Sequence, residues 1–302
     1  MKKWDDRESS DSKRNVHEDD PRKEIPGLNS LPKQPPETLR PGYSWVRHQR
    51  QEHPGWDFVT AEGIPWAPLA RPLAEARVAL VTTAGLYVDG QKPFTSGPAG
   101  ISDELRRQRF GGRGDPSHRE IARAVAAEDL RITHAYFDHS DAEQDPNCLF
   151  PLDRLIELEY EAFIGEVAGT HYSVMGYLPE PQRLAPTQEA IISGLRRQGV
   201  DAVLVTPGDP LCHQTAALLQ RAIEAAGIPT VSVTVCPDIT RHLKVSRAVS
   251  LPFPLGNPFG HPFDDGVQLR IVKAALQSLE SAQTPGAIEP LPFEWVDEDE
   301  EE

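Results

Sequence analysis

The stretch VLVTPGDPLCHQTAALLQRAIEAAG, residues 203–227, decides the fold. Its first residues continue a run, 200–206, that is apolar and β-branched without alternation, as in a strand buried on both faces. A Pro-Gly turn follows. Asp209 then stands where a helix N-cap belongs, with Pro210 at the first helical position. From Cys212 to Ala226 apolar residues recur at helical spacing, and Gly227 supplies a terminating glycine. Strand, tight turn and helix in this order make half of a βαβ unit.

The same grammar extends outward. Residues 77–83 (RVALVTT) and 230–235 read as further buried strands, 130–137 and 171–177 as strand candidates, and 248–251 as a weaker one. Helices are expected at 116–128, opened by Asp115 and Pro116, at 152–167, at 187–198 before Gly199, and at 265–280. Strands alternating with helices of about 10–15 residues predict an α/β fold: a three-layer, Rossmann-like or flavodoxin-like parallel sheet with helices on both faces. Ligands of such sheets bind beyond the carboxyl ends of the strands. The loops after Thr83, Phe137, Thr206 and Val235 are therefore the places to look.

Composition bounds the rest. The 302 residues carry a formal charge of -15, which disfavours non-specific binding of phosphate backbones. No nucleic-acid partner is expected. No apolar run approaches the roughly 20 residues that cross a bilayer, and the N-terminus lacks the apolar core of a secretory signal. A protein without membrane contact, in the cytoplasm, is expected. The 3 cysteines suit a reducing compartment and cannot build a disulfide framework. Hydrophobic residues at 38% and 29 prolines point to a folded core with poorly ordered ends. The expected organisation is a disordered tail at 1–40, an irregular Pro- and Trp-rich arm at 41–76, an α/β domain of catalytic type at 77–285, and an acidic tail at 286–302.

Three segments carry candidate chemistry. Cys212, in the first helical turn, feels the positive helix end, which favours the thiolate, whereas the Asp209 carboxylate disfavours it. His213 follows, about 100° around the helix, so it is not automatically a base for Cys212. The alternative is that Cys212 is a small buried hydrophobe and Asp209 a plain cap. The loop HAYFDHSDAEQDPN, 134–147, holds His134, Asp138, His139, Asp141, Glu143 and Asp145, able to bind a divalent metal or to supply an acid and a base. Its spacing matches no closed zinc pattern, and no metal is expected. His171 could face the same crevice. The glycine-rich RFGGRGDPSHRE, 109–120, offers Arg113, Gly114 and Asp115, with Asp141, as binders of a small substrate. It is neither a P-loop nor GxGxxG, so no nucleotide cofactor is expected.

Seven segments taken together carry a resemblance: ALVTTAG (79–85), GDPSHREI (114–121), YFDHSDAEQDPNCLFPLDRL (136–155), HYSVMGY (171–177), VDAVLVTPGDPLCHQT (200–215), GIPTV (227–231) and FPLGNPFGHP (253–262). In order and spacing the chain resembles the glycine/sarcosine/betaine/D-proline reductase family, the selenoprotein B-type subunit, over roughly residues 66–281. In reductases of that family a selenocysteine and a cysteine share the loop that matches 207–213. The selenium attacks the carbon bearing the substrate's amine, a thiol reductant resets the enzyme, and a partner subunit can hold the amine through a pyruvoyl group. Cys212 matches the second position of that pair and Asp209 the selenocysteine. A carboxylate cannot form a selenenylsulfide or disulfide with Cys212.

The resemblance implies a thiol-dependent oxidoreductase acting on the C–N bond of a small amine or amino-acid-like substrate. Cys212 would be the nucleophile or resolving thiol, and His139, Asp138 or His171 would transfer protons. A thiol reductant protein or partner subunit is implied, in a homo- or hetero-oligomer. Two alternatives stay open: a racemase or lyase using Cys212 with Asp209 or His139, and a binding subunit without catalysis.

Overall fold

The computed structural model describes residues 34, 36–40, 42–52, 57–95, 114–134 and 136–296. Expectations for Gly111, Gly112, Arg113, Trp56, most of the N-terminal tail and residues 297–302 lie outside these.

Among the described residues eight strands form the main sheet, seven of them in the order β10-β9-β8-β7-β1-β6-β3 and the eighth, β5 (Glu166–Val167), paired with β1. The central strands are β1 (Arg77–Thr82), β6 (Thr170–Val174) and β7 (Ala202–Thr206). β8 (Thr230–Thr234), β9 (Arg247–Ser250) and β10 (Ala287–Pro290) extend the sheet on one side. All pairings are parallel except that of β3 (His118–Ala122), which runs antiparallel to β6 at the opposite edge. β1, β7 and β8 are buried almost throughout, as their unbroken apolar runs require.

Period-2 geometry sorts the side chains into two cores. Val78 and Leu80 join one apolar cluster, and Ala79 and Val81 join the other. The second cluster packs under helices α4 (Ala185–Arg197) and α5 (Pro210–Ala225). The first lies under α3 (Leu152–Tyr160) and α7 (Asp265–Ser281). The chain leaves β1 for β6 on one side and returns to β7 on the other. This reversal of strand order is where open α/β sheets form a crevice.

Several expectations are corrected. The segment 116–128 is strand β3 and a short 3-10 turn, not a helix. Asp115 accepts bonds from Ser117 N (3.0 Å) and Ser117 Oγ (2.5 Å), a turn rather than a helix cap, and the edge of β6 offers Ile121 a buried place. Among the described residues of 130–137 only β4 (Leu130–Ile132) is a strand, and it pairs with β2 (Leu86–Val88) in a separate two-stranded sheet. The helix expected over 152–167 stops at Tyr160, and β5 (Glu166–Val167) turns back beside β1. The arm contains a helix, α1 (Trp45–Glu52), whose Trp45 is buried. The sheet continues past residue 285 through β10, and Trp295 stacks on His261. Two further short helices, α2 (Ser140–Gln144) and α6 (Pro237–His242), lie in the connections between strands.

Candidate functional site

Asp209 caps α5 as its sequence position demands. Its φ of -98° and ψ of -179° are extended, and its Oδ1 accepts the Cys212 N–H at 2.5 Å. That bond fixes the first turn, so Cys212 Sγ points back across the carboxyl ends of β1 and β6. There Sγ donates to the Thr83 carbonyl at 3.0 Å, and Thr83 Oγ1 donates to the Cys212 carbonyl at 2.9 Å. Gly176, just beyond β6, has no side chain because the sulfur stands in its place: a Cβ there would meet Cys212 Sγ and lie 2.6 Å from Thr83 O.

His134 completes the group from the loop after β4. Its Nε2 lies 3.1 Å from Cys212 Sγ and 3.7 Å from Asp209 Oδ2. The Tyr136 N–H donates to its Nδ1 at 3.2 Å, which in the neutral ring leaves the proton on Nε2, facing the sulfur and the carboxylate. The Phe137 ring covers it at a centroid distance of 4.5 Å. Phe137 in turn needs Gly208, where a Cβ would come within 2.6 Å of the ring. His134, Asp209 and Cys212 are all buried, and one ligand atom from each lies within 4.8 Å of the others.

The contest foreseen at Cys212 goes against the thiolate. Burial, then the charge and hydrogen bond of Asp209, push the thiol well above its ordinary range, and the backbone bonds of the helix start do not offset them. Sγ is 0% exposed, so the favourable helix end acts inside a desolvated site.

The other candidates scatter. His213 is buried and spends its ring on structure: Nδ1 donates to the Asp209 carbonyl at 2.7 Å and Nε2 accepts the Val235 N–H. Burial lowers its pKa to about 4. His139 Nε2 donates to the His134 carbonyl at 3.0 Å and its Nδ1 faces Glu143 at 3.1 Å, so it braces the His134 loop. Asp138 accepts the Ser140 N–H at the start of α2.

His171 is corrected more sharply: it lies inside the sheet, not in the crevice. Between Val78↔Val167 and Val81↔Tyr172 the partner segment carries two extra residues. The Leu80 N–H left without a ladder partner donates instead to His171 Nδ1 at 2.9 Å. Burial lowers this ring to about 3.

Among the proposed substrate binders, Gly114 has φ +68° and would clash with the Tyr177 carbonyl if it bore a Cβ. Burial alone would raise Asp115, but bonds from Ser117 and Thr95 outweigh it and hold the carboxyl below the usual range. Asp141 accepts Asn257 Nδ2 at 2.8 Å. These groups are committed to loop structure. His134 is one of the six loop residues able to supply an acid or a base, but nothing in the sequence sets it beside Cys212. It stands 78 residues from Cys212, and no spacing rule links the two.

The comparisons fit this architecture. The family model described as glycine/sarcosine/betaine reductase selenoprotein B matches residues 55–208. The chain is 34% identical to the D-proline reductase subunit gamma of Acetoanaerobium sticklandii, over 76% of this chain and 89% of that one. It is 29% identical to the glycine reductase complex component B subunit gamma of Carboxydothermus hydrogenoformans, and 30% identical to the betaine reductase complex component B subunit beta of Peptoclostridium acidaminophilum. The first match covers 72% of this chain and 48% of the relative, the second 68% and 46%, so the chain spans about half the length of these two. No solved structure matches. No helix among the described residues is long and apolar enough to cross a membrane. The chain belongs to the glycine/sarcosine/betaine/D-proline reductase selenoprotein B family.

Proposed function

We propose that this protein is the thiol-bearing subunit of an amino-acid-reductase-type assembly acting on a small amine or amino-acid-like substrate, with Cys212 as its working sulfur. The observation that carries this is the placement of Sγ: on the first turn of α5, at the reversal of strand order, flanked by His134 and Asp209. Converting a C–N bond to C–H and N–H takes two electrons and two protons. One cysteine supplies them only with a second thiol. Cys212 would displace the amine to form a C–S bond. A reductant thiol would then attack that sulfur, releasing the carbon as C–H and leaving a disulfide. The buried Nε2–H of His134 suits the anionic sulfur of this sequence.

The test supplies the full chain with dithiothreitol and, separately, D-proline, glycine, sarcosine and betaine. Amine release that Cys212→Ser abolishes supports the reading. A second reading, a binding subunit without chemistry, is favoured by the complete burial and raised pKa of the thiol. It expects no turnover, and a ligand-induced rise in melting temperature that survives Cys212→Ala.

A further inference from the structure

We infer that His134, Asp209 and Cys212 form a three-ligand site for one divalent ion of the zinc type. The three donors come from two separate places in the chain. Asp209 and Cys212 come from the cap and third position of α5, and His134 from a loop 78 residues earlier. Zinc bonds of about 2.0–2.3 Å imply ligand–ligand edges of roughly 3.3–3.8 Å around a tetrahedral ion. Of the observed edges, 3.7 Å from Nε2 to Asp209 Oδ2 falls within that range and 3.1 Å from Nε2 to Sγ is slightly shorter, and all three atoms lie within 4.8 Å.

The donor set selects the ion. An imidazole, a carboxylate and a thiol suit zinc and its neighbours, while calcium and magnesium take oxygen. A doubly charged cation also neutralises the carboxylate and thiolate together, in a place where the three side chains are buried. Three protein ligands leave a fourth position open, the arrangement of catalytic rather than structural zinc.

Loading displaces two protons, the Sγ–H that bonds the Thr83 carbonyl and the Nε2–H that faces the sulfur in the metal-free site. Ligation through Nε2 moves the ring proton to Nδ1, where the Tyr136 N–H now donates. That contact must open, and the bend at Tyr136 must turn an acceptor toward the ring. His139 holds the His134 carbonyl on the other side, so the adjustment stays local.

The inference uses the cysteine of the proposed function but is tested without turnover. Full-length protein is stripped with a chelator and titrated with cobalt(II), then with zinc(II). One ion per chain is expected, with a thiolate-to-cobalt charge-transfer band that zinc abolishes. Cys212→Ser should remove the band. His134→Gln and Asp209→Asn should each weaken binding by at least roughly 100-fold, the upper end of what losing even an outer-sphere partner costs. Asp209→Asn keeps a cap oxygen, so the helix start survives that change. X-ray absorption on the zinc-loaded wild type needs no variant and should show one sulfur with nitrogen or oxygen neighbours. The inference is overturned by no bound ion, by a shell without sulfur, or by stoichiometric binding indifferent to Cys212→Ser and His134→Gln.

Discussion

Gly176→Ala tests the packing that places the sulfur. A methyl at this position would meet Cys212 Sγ and lie 2.6 Å from Thr83 O and 2.7 Å from Cys212 Cα. Real Cβ atoms do not come within 3.0 Å of a neighbour. The neighbours are held. Gly176 N donates to Thr83 O at 2.8 Å, Thr215 Oγ1 donates to the Gly176 carbonyl at 2.6 Å, and Thr83 Oγ1 ties down the first turn of α5. Overpacking a tight site costs about 1–3 kcal/mol, and each hydrogen bond broken adds about 1 kcal/mol. A loss of about 3 kcal/mol follows. With a urea slope near the top of the usual range, about 3 kcal/mol per molar, the midpoint should fall by about 1 M.

Circular dichroism in urea reads this directly, with Gly227→Ala as the control. At Gly227 no atom lies within 4 Å of the added carbon, but φ is +91°, so only backbone strain of about 1 kcal/mol is expected. If Gly176→Ala costs no more than Gly227→Ala, the sulfur is not wedged against β6 and the site geometry is wrong.

Iodoacetamide should leave the buried Cys148 and Cys236 unmodified in the native, metal-free protein at neutral pH and modify all three cysteines after unfolding, as counted by mass spectrometry; alkylation of Cys212 before unfolding supports it as the working sulfur, and protection of Cys212 until unfolding overturns that reading in favour of the binding subunit. His171 has a folded pKa of about 3 against 6.5 in the unfolded chain, so its contribution is complete above pH 6.5 and lost as pH falls toward 3. At about 1.4 kcal/mol per unit this amounts to several kcal/mol, and the stability difference between wild type and His171→Asn should shrink by that order across the window, as followed by urea unfolding. Arg247→Ala should cost about 3–5 kcal/mol, since it strands Glu224. Glu224 is buried 3.4 Å from the guanidinium and binds Ala67 N and Thr230 N, so the same variant with Glu224→Gln added should recover part of that loss.

The two halves of the site differed in how far they could be read in the chain. Asp209, Pro210 and Cys212 were legible because capping is local: a short acceptor, a fixed φ and a free N–H within four residues specify the geometry without the rest of the protein. The buried runs at β1, β7 and β8 were legible for the same reason. The segment 116–128 was not, because whether HREI extends or coils is decided by the open edge of β6, a partner distant in sequence. His171 looked like a crevice histidine because its composition said nothing about the two-residue offset that turns it into a partner for Leu80 N.

What the order of residues determined alone is the α/β alternation, the helix start at Asp209 and the position of Cys212 within the first turn. Tertiary structure decided that His134 meets that sulfur, that Gly176 makes room for it, and that burial overrides the helix end in setting its charge. The physical reason is range. Caps and periodicity act within a few residues, whereas desolvation and the meeting of side chains 78 residues apart exist only once the sheet has assembled.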